Sequence, residues 1–406
     1  MDFSLSKEHR HWRSVAREFA HEIVKPVAAA LDAEPDPEKA FSWDIIDAAS
    51  RYGLRQAPMP RAYGGHDTDH LCQVVMLEEL AAVDMGVAVI FAGAWRTVKW
   101  LMVAGNDEQR DRWLKRVSAN PRALLAAALT EPESGSDNML GYRGLDGGMM
   151  MRAERKGDRW MLNGTKRYIT NGNRADVIIA FARTDPSRNI LEGVTTFLVP
   201  AEARGLRVSK IFDKSGERLA NNAELVFADV EVPDADRFGE IGNGLSSFVR
   251  HQRSTSAYNA ATVYGVAKAA LAKAFELARS RQQGGKRIIE HQAVGAYLVD
   301  MFAALDVART YAWRAAWAAD NVEHFAPHLN VIPKVFAAEQ SLQAVTKCME
   351  LFGGASIMRD VGVEKLLRDA SVFLHSDGTN MILRERLANV FRGLDEQSFE
   401  AILNPG

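Results

Sequence analysis

VIIAFARTDPSRNILEGVTTFLVP, residues 177–200, decides how the chain is read. Two runs rich in β-branched and aromatic residues, VIIAFART (177–184) and TTFLVP (195–200), flank a polar segment containing Asp, Pro, Ser and Asn, the signature of strands joined by a loop. Working outward, Arg159 to Tyr168 reads as strand broken by a hairpin turn at Asn163-Gly164, and ELVFADVEVP (224–233) as a further strand. On the N-terminal side, from about residue 7 to 120, the apolar spacing is helical, as in Trp12, Val15, Phe19, Ile23 and Val27, with Pro26 kinking or ending the first helix and the loop PMPRAYGGHD at 58–67. Beyond about residue 240 the helical period returns in long segments, Ala260 to Ala278 and Gln292 to Trp317. The order is helical, β, helical. The fold class is therefore mainly α with a central β domain, divided into an N-terminal helical domain at 1–121, a β domain at 122–238 and a C-terminal helical domain at 239–406.

At 406 residues, 47% hydrophobic and 25% charged, the composition is that of an ordinary globular chain. Fifty basic against 52 acidic side chains leave a formal charge of −2, so no global field favours nucleic acid or an anionic membrane. Cys72 and Cys348, the two cysteines, form no CxxC or Cys/His cluster, which argues against structural zinc or a disulfide framework and favours a reducing, cytoplasmic setting. MDFSLSKEHRHW at the start has no apolar core of a signal peptide, and no apolar run approaches the length of a membrane span, so the expectation is neither export nor anchoring. Neither GxGxxG nor GxxxxGK[ST] occurs; His21-Glu22 is not continued to HExxH, and no GxSxG elbow is present. Nucleotide-binding α/β folds, zinc hydrolysis and serine hydrolysis lose their main support, and the ten histidines read as surface or core residues rather than metal ligands.

Ordered motifs remain: ALTEPESGSD (128–137), LNGTKRYITNG (162–172), KSGERLANNAEL (214–225), FADVEVP (227–233), HQAVGAYLVDM (291–301), ELFGGASIMRDVGVEKLLRDA (350–370) and SDGTNMI (376–382). In this order and spacing they resemble the acyl-CoA dehydrogenase family across nearly the whole chain. The resemblance implies an N-terminal helical domain, a β-barrel-like middle domain and a C-terminal four-helix bundle, with FAD between the last two and a homotetramer, or a dimer, built through the bundle. It implies that Thr130, Ser136, Tyr168, Thr170 and Thr379 hold the flavin and that Ser136 also helps to place the thioester. Arg281, Gly353 and Gly354 would contact the FAD of a neighbouring subunit. On physical grounds, small hydroxyls beside Gly135 suit close approach to a planar ring, and alternation puts Tyr168 and Thr170 on one face of a strand as an aromatic plate plus a hydroxyl. The family's Trp is Tyr168 here, and its RxxFG reads Arg281-Gln282-Gln283-Gly284-Gly285. Glu350 and Met381 also depart from the family pattern.

Dehydrogenation of an acyl thioester removes a weakly acidic α-proton while a hydride leaves the β-carbon for the flavin. This requires a carboxylate at the α-carbon. Ser376-Asp377-Gly378-Thr379 stands where many relatives carry a Tyr-Glu-Gly-Thr motif, so Asp377 is the expected base, shorter by one methylene or about 1.5 Å. Thr255 and Ser256 occupy the alternative base position and the neighbouring arginine position of other relatives, so no second carboxylate is visible there. The small Ser376, with Gly378, leaves room beside the reacting carbons for a branched or cyclic acyl group. Trp95 and Arg96 fall on the helix expected to close the acyl pocket, where a buried arginine would bind an anionic tail and an exposed one would simply reach solvent. The predicted activity is FAD-dependent α,β-dehydrogenation of an acyl-CoA, with an electron-transferring flavoprotein as acceptor. The alternatives are a nitroalkane oxidase-like flavoenzyme, whose members also use Asp as base, and a catalytically altered flavoprotein of the same fold.

Overall fold

The computed structural model describes residues 4–140, 144–145, 147–251 and 253–403. The first helical segment runs as α1 (Lys7–Phe19), a π-helical stretch (Ala20–Val24) and α2 (Lys25–Asp32). Ser6 caps α1 by accepting from His9 N. Pro26 sits in the first turn of α2, just after the π-helical stretch, which α2 continues without a break. The π turn ahead of it inserts an extra residue and rotates the buried face. Trp12 and Phe19 are buried as expected, but Val24 and Ala28 take the places predicted for Ile23 and Val27, and Val27 is exposed.

Helices α3 (Trp43–Arg51), α4 (His70–Ala81), α5 (Met85–Ala104) and α6 (Asp107–Ala119) follow. By length and composition α5 could cross a membrane, which the sequence reading did not foresee, yet its most apolar window is 67% buried and Trp95 and Trp100 are enclosed in the core. It is the pillar against which both other parts of the chain are built.

The central sheet comprises β1 (Leu125–Ala128), β2 (Arg152–Lys156), β3 (Arg159–Thr170), β4 (Val177–Arg183), β5 (Val194–Pro200), β6 (Leu206–Ile211), β7 (Asn222–Pro233) and β8 (Arg237–Phe238), with the short α7 (Ile190–Gly193) between β4 and β5. Its order is β6-β7-β3-β2-β4-β5-β8, and β1 pairs in parallel with β4. Strand β4 is buried on both faces, and Trp100 of α5 stacks on its Phe181 at 5.5 Å between ring centroids. Asn163-Gly164 is not the hairpin turn. That turn is Gly157-Asp158, closed by the Lys156–Arg159 pair. Asn163 instead sits at a register shift within a continuous β3, where its amide exchanges hydrogen bonds with Asp229, and Gly164 allows Met151 to pass where a Cβ would lie 2.8 Å from that side chain.

The C-terminal part contains α8 (Gly244–His251), α9 (Thr255–Ser280), a small hairpin of β9 (Gln282–Gln283) and β10 (Lys286–Arg287), then α10 (Gln292–Asn321), α11 (Ile332–Phe352), α12 (Val363–Val372), α13 (Asn380–Arg392) and α14 (Glu396–Leu403). Alanine-rich α9 is the hub, packed on α10, α11 and α12 and also on α4. Its small side chains permit that closeness: a Cβ on Gly265 would fall 2.6 Å from that of Ala81. Buried acids on α4 tie three helices together, Glu78 to Arg309 at 2.8 Å and Glu79 to Arg13 at 2.6 Å and to Lys268 at 2.7 Å. The fold thus fixes the start of α9, the end of α12 and the outer end of β3 beside α5.

Candidate active site

Between these elements lies a cavity with an empty volume of about 1030 Å³. Helix α5 supplies Val89, Ala92, Gly93 and Arg96; the loop after β1 supplies Thr130, Gly135 and Ser136; the end of β3 supplies Tyr168 and Thr170. Glu217 and Asn222 enter from the approach to β7, Asn259 from α9, and Phe373, His375, Ser376 and Asp377 from the loop between α12 and α13. A second cavity of about 510 Å³ shares Asn259 and Asp377 with the first and adds Thr255, Ser256, Lys334 and Arg386. Asp377 therefore stands at the junction of the two.

The contributing loops are held by polar side chains, Lys166 and Lys334 buried and Asn222 half-buried. Lys166, fully enclosed, donates to Glu131 Oε1 at 2.7 Å and to Leu129 O at 3.0 Å, and Glu131 accepts in turn from Met151 N. Burial lowers the affinity of Lys166 for its proton, opposed by the Glu131 charge. This anchors the Thr130 to Ser136 loop on β3, and Arg167 N adds a backbone bond to Thr130 O at 2.8 Å. Two residues of β3 oppose one of β7 between Lys166 and Ile169, a bulge that sends Lys166 inward while Tyr168 and Thr170 both reach the cavity. Tyr168 is 53% exposed, with its ring against Phe212 at 4.6 Å. Asn222 Nδ2 donates to Tyr168 O at 2.9 Å and to Thr170 Oγ1 at 3.4 Å, while Lys214 Nζ bonds both Asn222 Oδ1 at 2.7 Å and Glu217 Oε1 at 2.8 Å.

On the opposite wall, Asp377 adopts φ 52°, one of three non-glycine residues of this cavity in the left-handed region, with Tyr168 at 59° and Glu217 at 45°. Such backbone costs on the order of 1–3 kcal/mol each and persists where surrounding structure imposes it. Lys334 does so here: buried beneath the loop, it donates to Gly378 O at 2.7 Å and Asn380 Oδ1 at 2.8 Å, and burial lowers its pKa to about 8. Asp377 Oδ2 lies 3.1 Å from Arg96 Nη1. It is not the helix cap: Thr379 caps α13, its hydroxyl accepting from Ile382 N at 3.2 Å, and Thr379 N in turn donates to Ser136 Oγ at 3.2 Å.

Some predicted residues stand elsewhere. Trp95 is no part of the cavity wall. It is wholly buried on the far side of α5, stacked on Phe91 and donating to Leu54 O at 2.9 Å, because adjacent helical positions diverge by about 100°. Arg96 does not extend into solvent either, since Asp377 engages it. Gly378 and Thr379 shape the loop without lining the cavity; Gly378 at φ 82° packs where a Cβ would meet Met139 and Leu383 at 3.1 Å. Arg281 lies roughly 30 Å along α9 from Asn259, at about 1.5 Å per residue, and Gly353 and Gly354 are exposed at the distal end of α11. Within one chain these three do not meet the cavity. Gly284 and Gly285, both at positive φ, form the tight turn of the β9–β10 hairpin, which explains why no phenylalanine occupies that site.

The sequence reading also passed over Glu217, inside the quoted KSGERLANNAEL motif. It is 5% exposed, burial raises its pKa and the Lys214 charge opposes that rise. Among the described residues lining the two cavities, Asp377 and Glu217 are the carboxylic acids. An acidic residue between a motif glycine and arginine was the available signal. Ser256, at the alternative position, is structural: it donates to Val331 O and accepts from Lys334 N.

Three family models match in chain order, acyl-CoA dehydrogenase N-terminal domain at residues 6–120, middle domain at 126–230 and C-terminal domain at 243–391. Cyclohex-1-ene-1-carbonyl-CoA dehydrogenase of Geobacter metallireducens is 31% identical over 380 residues, covering 94% of this chain and 97% of the relative. Caffeyl-CoA reductase-Etf complex subunit CarC of Acetobacterium woodii is 30% identical over 380 residues, covering 93% and 96%. The structure of butyryl-CoA dehydrogenase from Megasphaera elsdenii superposes with a TM-score of 0.89 at 28% identity, covering 97% of this chain and all of that one.

Proposed function

Because the chain belongs to the acyl-CoA dehydrogenase family of oxidoreductases, we propose that it oxidises the Cα–Cβ bond of an acyl-CoA with Asp377 as the base. The observation that carries this reading is the position of Asp377, at the junction of two cavities and across from Tyr168 and Thr170. Asp377 receives the C2 proton, the electrons of the broken C2–H bond form the new C2=C3 bond, and a hydride leaves C3. FAD, when bound, supplies the acceptor for that hydride. The residues present fit such a group: an accessible aromatic ring at Tyr168 and the hydroxyls of Thr130, Ser136 and Thr170 on one cavity. Asn222 orients Thr170, and the Lys166–Glu131 pair holds the hydroxyl-bearing loop. Lys334 fixes the backbone after Asp377, which matters because misplacing a base by about 1 Å costs roughly 10²-fold in rate.

The substrate is an acyl-CoA with a branched or cyclic acyl group. Ser376 is small, and α5 adds Ala92 and Gly93, beside Val89, to the lining of the same cavity. An electron-transferring flavoprotein is the acceptor, in keeping with the relative named as part of an Etf complex. The assembly is a homotetramer. Val299, Phe302, Val307 and Trp317 of α10 are each more than half exposed, an apolar face that a second copy would cover. Arg281, Gly353 and Gly354 would then serve a neighbour's FAD. The protein acts in the cytoplasm, where the buried free thiols Cys72 and Cys348 stay reduced.

Anaerobic titration of the FAD-loaded protein with straight, branched and cyclic acyl-CoAs tests the reading. Loss of the oxidised-flavin absorbance with a branched or cyclic thioester is expected. No bleaching by any of them overturns it, and peroxide formed from nitroethane without CoA would replace it with nitroalkane oxidation.

A further inference from the structure

Arg96 and Lys99 are the charged side chains of α5, whose other residues are overwhelmingly apolar. The Arg96 guanidinium reaches into the reaction cavity and is only 18% exposed. Its Nη1 meets Asp377, while its Nε is buried and has no hydrogen-bond partner among the described residues. A guanidinium carries five N–H donors, so this one has capacity left beside the reacting position.

The pair also poses a problem for catalysis. Once Asp377 takes the α-proton, Arg96, largely withdrawn from solvent, is left without its counter-charge. A neutral acyl group offers nothing in exchange. An acyl group bearing its own carboxylate does: it takes the place of Asp377 on Arg96, frees the aspartate to act as base, and keeps the guanidinium neutralised after Asp377 is protonated. The other acid of the cavity does not compete for Arg96, since Glu217 Oε1 is bonded to Lys214 at 2.8 Å.

We propose that Arg96 is a specificity-determining residue that selects acyl groups carrying a carboxylate near the reacting carbons, exchanging Asp377 for that carboxylate when substrate binds. The Arg96–Asp377 contact spans one hydrogen bond, so the second carboxylate lies within a few bonds, each about 1.5 Å, of C2. The class is a short dicarboxylic acid esterified to CoA at one end and carrying the branch proposed above; an unbranched diacid tests the carboxylate alone. The inference rests on Asp377 being the base.

Its test uses FAD-loaded wild type, Arg96→Gln and Arg96→Lys with thioesters matched in carbon skeleton: glutaryl-CoA against valeryl-CoA, and methylsuccinyl-CoA against 2-methylbutyryl-CoA. The wild type is expected to prefer the diacid by about tenfold or more in kcat/KM. Arg96→Gln loses that preference and oxidises the neutral member faster than wild type does, and Arg96→Lys restores part of the preference. Equal kcat/KM for the matched pair in wild type, or a Gln variant that slows both members alike, overturns the proposal. Calorimetric binding of non-oxidisable thioether analogues, charged against neutral, reads Arg96 independently of turnover: equal affinities in wild type overturn it even when no thioester is oxidised. Failure of every thioester to bleach the flavin counts instead against the dehydrogenase reading, and an Asp377→Asn variant that reduces flavin at the wild-type rate counts against the base.

Discussion

The two ends of α9 are finished differently. At its N-terminal end the loops that enter the cavity are secured by polar partners: buried Lys166 behind Thr130 and Ser136, half-buried Asn222 beside Thr170, buried Lys334 behind Asp377. At its C-terminal end Arg281 is exposed, and a Cβ placed on Gly353 or Gly354 would meet nothing within 4 Å. One end is built within a single chain, and the other carries exposed glycines and apolar side chains, the surface proposed to meet a second copy. Residues at the first end should therefore control chemistry in each protomer, and residues at the second should act through assembly.

The sharpest way to break that contrast is at Asp377. Asp377→Asn keeps the size of the side chain and removes the proton acceptor, and the expected loss in the rate of flavin reduction is about 10²–10⁴-fold with FAD content unchanged. Stopped-flow reduction under anaerobic conditions measures it, and a loss below tenfold would point to Glu217 as the working base. Next in size is the support behind the loop. Lys166→Met leaves Glu131 buried without its ion pair, and breaking such pairs costs about 3–5 kcal/mol. A lowered Tm together with weakened FAD retention is expected; a variant as stable as wild type would mean the loop holds itself. At the distal end, Val299→Glu with Phe302→Glu should leave the protomer folded by circular dichroism while shifting the sedimentation coefficient to a smaller species. No change in assembly would remove α10 from the interface.

How much of this the sequence contained follows from which forces are local. The strands at 177–183 and 194–200 and the long helices α9 and α10 could be read because periodicity of burial is written along the chain. Asn163-Gly164 misled because its turn propensity is local, whereas its contacts with Asp229 and Met151 come from β7 and the segment before β2. The displaced face of α2 was invisible because a π turn leaves no strong sequence mark. Asp377, Ser136 and Thr170 were named from motifs, but their supports were not: Lys166 and Lys334 look like surface lysines in one dimension, and only the folded chain brings them to Glu131 and Gly378. The pairing of Arg96 with Asp377 spans 281 positions and could not be read from spacing.

The smallest expected effect belongs to Glu217, and it separates a carboxyl that titrates in the cavity from one that is merely enclosed. Burial raises its pKa above the ordinary 4.5, with the Lys214 charge opposing and the Asp377 charge assisting. Asp369 accepts from its backbone N–H at 2.8 Å and adds a further unfavourable charge. The folded state therefore holds this proton more tightly than the unfolded chain does. Its contribution to stability is complete below pH 4.5, diminishes as pH rises and is gone above the folded-state pKa. Glu217→Gln removes the ionisation with little change in shape, so the Tm of the variant relative to wild type should climb as pH increases from about 4.5 and level off once wild-type Glu217 is ionised. A constant offset across the pH range would show that Lys214 fully compensates the charge, leaving the proposed base Asp377 without a second titrating carboxyl in its cavity.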